Sequence, residues 1–410
     1  MDKPRDRFRN VAFFSICTFI AGCGGTDAPP KTAGGETTSA SAATQTTSSA
    51  AQNTPLASAG VGAVLIAEAE YAKGAALAAD GKLDAALVAF NAAAVVDPKH
   101  TSIAAGLAAY EDAAAGRTPR EVIQLIFRSM KHANEGRWGD AHADADAAVK
   151  LAPAYVRAHD TRAKLFLLQG KYADAIKAFN RVIEIDPTFA EGYYNRGATF
   201  AEMGRHDAAI ADYTRAIELW PSFSEAYRNR GAAQTHKNDA DAAMADYTKA
   251  HELYPLAVEP LYMRGVLFAL LGKWSEASAD FTKAIERDPE HTESYYDRGL
   301  AYQNQGNDDG AVADYTKAIE LNPANPAALI NRGLILARRK QYDLAIADYD
   351  KALSVPPVML VAQYNKALAL DQSGRVKEAI AAYRKFLPQA TPEHAALVKH
   401  ARERLTVLEK

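Results

Sequence analysis

Side chains able to do chemistry are scattered along this 410-residue chain. Its ten histidines keep no common spacing, and His394 and His400, six residues apart, face different sides of any helix that holds both. Asp308-Asp309 is the kind of carboxylate pair that acid–base work uses, but adjacent acids in a turn are usually solvated. The sequence has no H-E-x-x-H, C-x-x-C, G-x-S-x-G or G-x-G-x-x-G, and no Walker-type phosphate loop. Two cysteines, Cys17 and Cys23, are its only thiols. No catalytic residue, cofactor or metal site is expected, and the chain reads as a non-enzyme. What recurs instead is hydrogen-bonding chemistry. Asn195, Asn229, Asn331 and Asn365 share one phase of a 34-residue spacing, with Met263 and Asp297 interrupting. Tyr194, Arg228, Tyr262, Tyr296, Ile330 and Tyr364 precede them by one residue.

Seven prolines set that spacing: Pro153, Pro187, Pro221, Pro255, Pro289, Pro323 and Pro357, each 34 residues after the last. Such a period marks a helical repeat array. With proline as position 32, eight repeats cover 122–393, and an earlier, out-of-phase unit covers 67–100. Position 8 is mostly Gly or Ala, as in Gly197, Gly231, Gly265, Gly299 and Gly333. Position 20 is Ala in every unit, and position 24 is aromatic in all but one, as in Phe179, Tyr213 and Tyr247. Small residues at 8 and 20 let two antiparallel helices approach, and the ring at 24 fills the space towards the neighbouring repeat. Gly at position 15 ends the first helix in a left-handed cap, and proline ends the second.

These features resemble the tetratricopeptide repeat (TPR) family, most clearly in YYNRGATFAEMGRHDAAIADYTRAIELWP (193–221) and YYDRGLAYQNQGNDDGAVADYTKAIELNP (295–323). The resemblance covers 67–100 and 122–393. It implies an all-α right-handed TPR superhelical solenoid of about nine helix-turn-helix repeats. The segment 61–121 reads as an N-terminal unit plus an irregular extra helix. The tail 394–410 reads as a capping helix, with Leu397, Ala401, Leu405 and Leu408 on one face.

In this family positions 2, 5, 6, 9, 12 and 13 of the first helices face a concave groove. The resemblance therefore makes Tyr194, Asn195, Arg228, Asn229, Tyr262, Tyr296, Asp297, Asn331, Tyr364 and Asn365 the peptide-binding candidates. Asn is a poor mid-helix residue. Its recurrence reads either as a ladder of amides for an extended peptide backbone, similar to that of O-linked N-acetylglucosamine transferase, or as an accident of repeat duplication. Glu191, Glu225, Glu259 and Glu293 at position 2 argue against a clamp for C-terminal carboxylates. They favour basic segments, or else simply complement the helix dipole. Arg at position 7 accompanies Asp at position 23 in five consecutive repeats, from Arg196/Asp212 to Arg332/Asp348. These pairs are expected to bridge the two helices of a repeat or adjacent repeats.

The N-terminus has Lys3, Arg5, Arg7 and Arg9 before an apolar run from Val11 to Gly22, too short to span a bilayer. It ends Ile20-Ala21-Gly22-Cys23, which resembles the lipobox of bacterial lipoproteins. That resemblance implies a signal peptide over 1–22, a lipidated Cys23 and attachment to the cell envelope. With Gly24 next, it points to the outer membrane facing the periplasm. Residues 23–60 are rich in Ser, Thr, Ala and Gly and read as a flexible tether. The whole chain has a net charge of −3. Losing 1–22 removes four basic and two acidic residues and leaves −5, which argues against a nucleic-acid partner. The expected function is a membrane-anchored adaptor for envelope assembly, holding proteins or extended peptides between Glu191 and Gln372. The alternatives are a self-associating structural lipoprotein and an accessory binder of cell-wall glycan, with the oligomeric state open.

Overall fold

The computed structural model describes residues 56–356 and 359–410. The signal peptide, Cys23, most of the tether and Pro357 lie outside them. The described chain forms two units, divided between Leu256 and Ala257. Unit 1 holds α1 (Leu56–Ala79), α2 (Leu83–Val96), α3 (Thr101–Ala114), α4 (Arg120–Asn134), α5 (Trp138–Leu151), α6 (Val156–Leu168), α7 (Tyr172–Ile185), α8 (Ala190–Glu202), α9 (His206–Leu219), α10 (Ser224–His236) and α11 (Ala240–Leu253). Unit 2 holds α12 (Glu259–Leu270), α13 (Trp274–Arg287), α14 (Thr292–Asn304), α15 (Asp308–Leu321), α16 (Pro326–Arg338), α17 (Tyr342–Leu353), α18 (Leu360–Gln372), α19 (Val376–Phe386) and α20 (Ala395–Leu408). Within each unit consecutive helices pair and the pairs stack, as the 34-residue period requires.

The repeat chemistry explains the pairing. A Cβ added to Gly333 would lie 2.7 Å from the Tyr349 ring, and one on Gly265 the same distance from Phe281. The position-8 residue is therefore small so that the aromatic ring of its own repeat can lie on the first helix. The same ring also reaches the next repeat: Tyr213 packs with Ala233. At position 15 the backbone turns through the left-handed region. Gly306 has φ 77°, while Asn238 and Lys340 hold the same turn at 62° and 61° without being glycine.

The five Arg–Asp pairs do both things expected of them. Each is bidentate within its repeat, at 2.6–2.8 Å. The third guanidinium nitrogen reaches back to a threonine of the preceding repeat, as Arg230 Nη1 to Thr214 at 3.0 Å, Arg298 to Thr282 at 3.1 Å and Arg332 to Thr316 at 3.0 Å. Tyr193, Tyr227 and Tyr295 lie under the cations of Arg196, Arg230 and Arg298. A sixth pair, Arg128–Asp144, lies in the first phased repeat. Where position 23 is Ala178 or Ala382, the cation turns back to the preceding repeat instead. Arg162 pairs with Asp146, and Lys366 with Asp350.

The ends depart from the period. Helix α1 begins at Leu56, inside the segment read as tether, because 56–79 is an Ala- and Leu-rich run of strong helix formers. Helix α20 takes the place a further first helix would occupy. Ala401 and Leu405 bury against the last repeat, with Leu397 and Leu408 beside them. His400 Nδ1 meets the Tyr364 hydroxyl at 2.7 Å, and Arg404 donates twice to Asp371. That guanidinium holds the Asp371 carboxyl below the ordinary carboxylate range.

Candidate functional site

The candidate residues fall on the first helices, and at four places position 5 of one repeat bonds position 6 of the next. In unit 1, Asn195 Nδ2 donates to Asp160 at 2.9 Å, and Asn229 Nδ2 donates to the Tyr194 hydroxyl at 2.9 Å. In unit 2, the Tyr262 hydroxyl donates to Asp297 at 2.9 Å, and Asn331 Nδ2 donates to the Tyr296 hydroxyl at 3.3 Å. Most of the amide row therefore ties neighbouring first helices together, while each of these amides keeps further hydrogen-bonding capacity. Burial pushes the Asp297 carboxyl up to about 6. Asn365 stands apart. It is 7% exposed, and its Nδ2 has no hydrogen-bond partner among the described residues.

Helix α3 alters the first-helix face of unit 1. Its first residue, Thr101, donates to Glu225 Oε1 at 2.5 Å. Its last turn carries Asp112, which accepts from the Tyr155 hydroxyl at 2.9 Å and lies 3.9 Å from Arg157. Arg157 also meets Glu191 at 3.5 Å. Just before α3, buried Asp97 accepts from the Tyr254 hydroxyl, and the His100 ring stands edge-on to Tyr254. The helix is about 20 Å long, and its two ends meet the starts of α6 and α10. Its other side seats Ile103 and Ala109 in the core with Phe90 and Ala93 of α2. Two members of the position-2 row, Glu191 and Glu225, thus have partners inside the chain. Periodicity gave no signal for α3, whose contacts join residues as far as 124 apart.

Unit 2 has a different first-helix face. Position 2 runs Glu259, Glu293, Ala327, Val361, with Glu293 exposed. Position 9 supplies a half-buried apolar row, Val266, Leu300, Leu334 and Leu368. A cavity of about 340 Å³ opens between α16 and α18, with Asn365, Arg338 and Lys340 in its wall. Sequence reasoning named Asn365 but not Arg338, Lys340 or the leucines. Among the described residues no cluster of three or more His, Cys, Asp or Glu side chains is placed to hold a metal ion.

Comparison with known proteins agrees with the helix-pair fold. A TPR repeat model matches 163–204, and tetratricopeptide repeat models match 190–223, 262–326, 296–357 and 357–395. The chain is similar to the crystal structure of the Cut9–Hcn1 hetero-tetramer of APC/C, with TM-score 0.50 and 17% identity over 70% of this chain and 52% of that one. It is also similar to the C-terminal part of a TPR repeat-containing protein from Cytophaga hutchinsonii, with TM-score 0.50 and 18% identity over 58% of this chain and 99% of that one. The TPR protein YrrB, whose structure has a peptide-binding site described as unusual, aligns at 25% identity over 47% of this chain and 98% of its own, with TM-score 0.41. No curated protein sequence matches the chain significantly.

Proposed function

The chain is a tetratricopeptide repeat protein, and we propose that it serves as a membrane-anchored, non-catalytic scaffold that gathers cell-envelope proteins by binding their extended segments. One observation carries this reading. The recurrent polar chemistry of the repeats is spent within the array, at positions 5 to 6 and 7 to 23, while unit 2 keeps a half-buried apolar row on its first helices. A periodic apolar track beside polar groups suits an extended chain. The anchor rests on Ile20-Ala21-Gly22-Cys23, with a lipid on Cys23 and the array at the periplasmic side of the outer membrane.

The test is capture from envelope extract with soluble 24–410, beside a Leu334→Glu, Leu368→Glu variant checked for helicity. Partners retained by the first and lost by the second support the scaffold. Equal capture by both moves binding off this face. For the anchor, cell fractionation of a Cys23→Ala variant should release the protein from the membrane fraction, and a variant still sedimenting with membranes ends that part of the reading. Self-association is favoured by one observation: Val88 and Val95 on α2 are 70% and 84% exposed. Sedimentation of soluble 24–410 decides it.

A further inference from the structure

Two irregularities in the repeat chemistry of unit 2 fall at the same place. The amide of Asn331 and the carboxylate of Asp297 both find a tyrosine hydroxyl at position 5 of the preceding repeat. Ahead of Asn365 that position is Ile330, a hydrocarbon that can neither donate nor accept, and the buried Nδ2 is left without a partner among the described residues. The second irregularity is at position 12. The Tyr315 hydroxyl donates to Gln303 at 2.9 Å, and that of Tyr383 to Asp371 at 3.3 Å. Opposite Tyr349 stands Ala337, with only a methyl group. The missing side chain leaves room, and Ala337, Tyr349 and Asn365 all line the 340 Å³ cavity.

A third observation, on the backbone, is independent of these. Lys340 lies in the cavity wall and holds φ 61° at the turn position where neighbouring repeats have Gly306 and Gly374. A lysine in the left-handed region is unfavourable, and such departures are retained where the side chain serves a purpose. The cavity wall carries Arg338 and Lys340 and no carboxylate. Arg338 holds Asp308 at 2.8 Å, and Lys340 has no ion-pair partner among the described residues. The acidic position-2 row has ended by this point, with Ala327 and Val361 in its place.

We propose that this cavity is an acidic-residue subsite: it takes the carboxylate side chain of an Asp or Glu in an extended protein segment. Lys340 supplies the positive charge, with Arg338 beside it already paired to Asp308, and Asn365 Nδ2 donates the hydrogen bond it does not make within the chain. Leu334 and Leu368 hold the apolar part of the same segment. Their row continues to Leu300, so a chain laid along it runs past the cavity, and a side chain rather than a terminus enters. The expectation of basic ligands came from the glutamates of repeats 190–325 and does not extend here. The proposal rests on the scaffold reading.

The test uses soluble 24–410 and two random hexapeptide libraries, one amidated at its C-terminus and one with a free carboxylate, with bound peptides identified by mass spectrometry. Expected is an enrichment of Asp and Glu over Asn and Gln in the amidated library. An amidated peptide from the enriched set should bind about tenfold more tightly than its Gln analogue, with the difference shrinking at 0.5 M NaCl. Lys340→Gly restores the residue the turn favours, so it should fold at least as well as the parent and lose that preference. No acidic enrichment overturns the proposal, as does enrichment confined to free C-terminal carboxylates or a Lys340→Gly protein with unchanged selectivity. If Lys340→Gly still captures the same envelope proteins, the scaffold reading stands and this subsite falls. If the parent protein captures none, the scaffold reading itself falls.

Discussion

Units 1 and 2 use one repeat, with the same Arg–Asp pairs and the same ring-on-glycine packing, yet their first-helix faces differ. In unit 1 the out-of-phase helix α3 is seated on it, polar at both ends through Thr101 and Asp112. In unit 2 the face presents a leucine row and a cavity beside an unpartnered amide. The core of a repeat array is decided by the positions that recur, and its binding surface by the positions that break the pattern. Four changes test that division.

The largest effect should come from the recurring part. Asp280→Ala in unit 2 and Asp246→Ala in unit 1 each leave a half-buried guanidinium without its carboxylate, and each should cost about 3–5 kcal/mol in urea denaturation. The exposed Arg162–Asp146 pair is worth much less, so Asp146→Ala should cost under about 1 kcal/mol. Similar losses for Asp246 and Asp280 would support a common core. A loss confined to one unit would break the equivalence.

The next effect belongs to unit 1 alone. Thr101→Val together with Asp112→Ala removes the polar seat of α3 at both ends and leaves the half-buried Glu225 without its bond from Thr101. The loss of about 1–3 kcal/mol should appear as amide exchange faster by tenfold or more across 101–114, with unit 2 unchanged. Unaltered exchange in α3 would mean that its apolar contacts with α2 hold it and the groove-side contacts do not.

Asp297 gives unit 2 a pH dependence. Burial raises its carboxyl from 3.8 to about 6, so the folded state holds the proton to higher pH than the unfolded chain does. The stability it contributes is full below about pH 4 and is lost as pH rises through 6. Asp297→Asn places at this site the residue found at position 6 in Asn331 and Asn365, and its amide can donate to Tyr262. It should raise stability by on the order of 1–2 kcal/mol at pH 7.5 and by little near pH 4. A gain equal at both pH values would show that the benefit does not come from removing the charge.

How much of this was legible beforehand follows the same division. Pro153 to Pro323, the position-8 glycines and the Arg–Asp covariation stand out because they repeat, and they led to helix pairs, their turns and their bridges. Arg128–Asp144 follows the same rule but is masked in the sequence, because its repeat has Ser129 and Ala145 where others have Gly or Ala and an aromatic ring. The bonds between positions 5 and 6 join residues 35 apart, one more than the period, so they do not show as pairs within a repeat. Ile330 and Ala337 are visible as substitutions, but they mean something only once the missing partners of Asn365 and Tyr349 are known. The seat of α3 left no sequence signal, since its contacts cross three repeats.

The smallest effect compares the two units at one turn. Asn238 in unit 1 and Lys340 in unit 2 replace glycine with nearly the same φ, 62° and 61°. Asn adopts the left-handed region at little cost because its short amide bonds locally, whereas Lys has no such compensation. Lys340→Gly should therefore raise stability by about 1 kcal/mol and Asn238→Gly by less than half of that, read as the difference in urea midpoints. Glycine gives part of the gain back by loosening the unfolded chain, so the contrast between the two sites is more informative than either value. A larger gain at Lys340 would mean that unit 2 retains a lysine its fold does not favour, as expected of a residue kept for a ligand. Equal gains would leave the lysine as an ordinary turn residue and remove the backbone argument for the subsite beside Asn365.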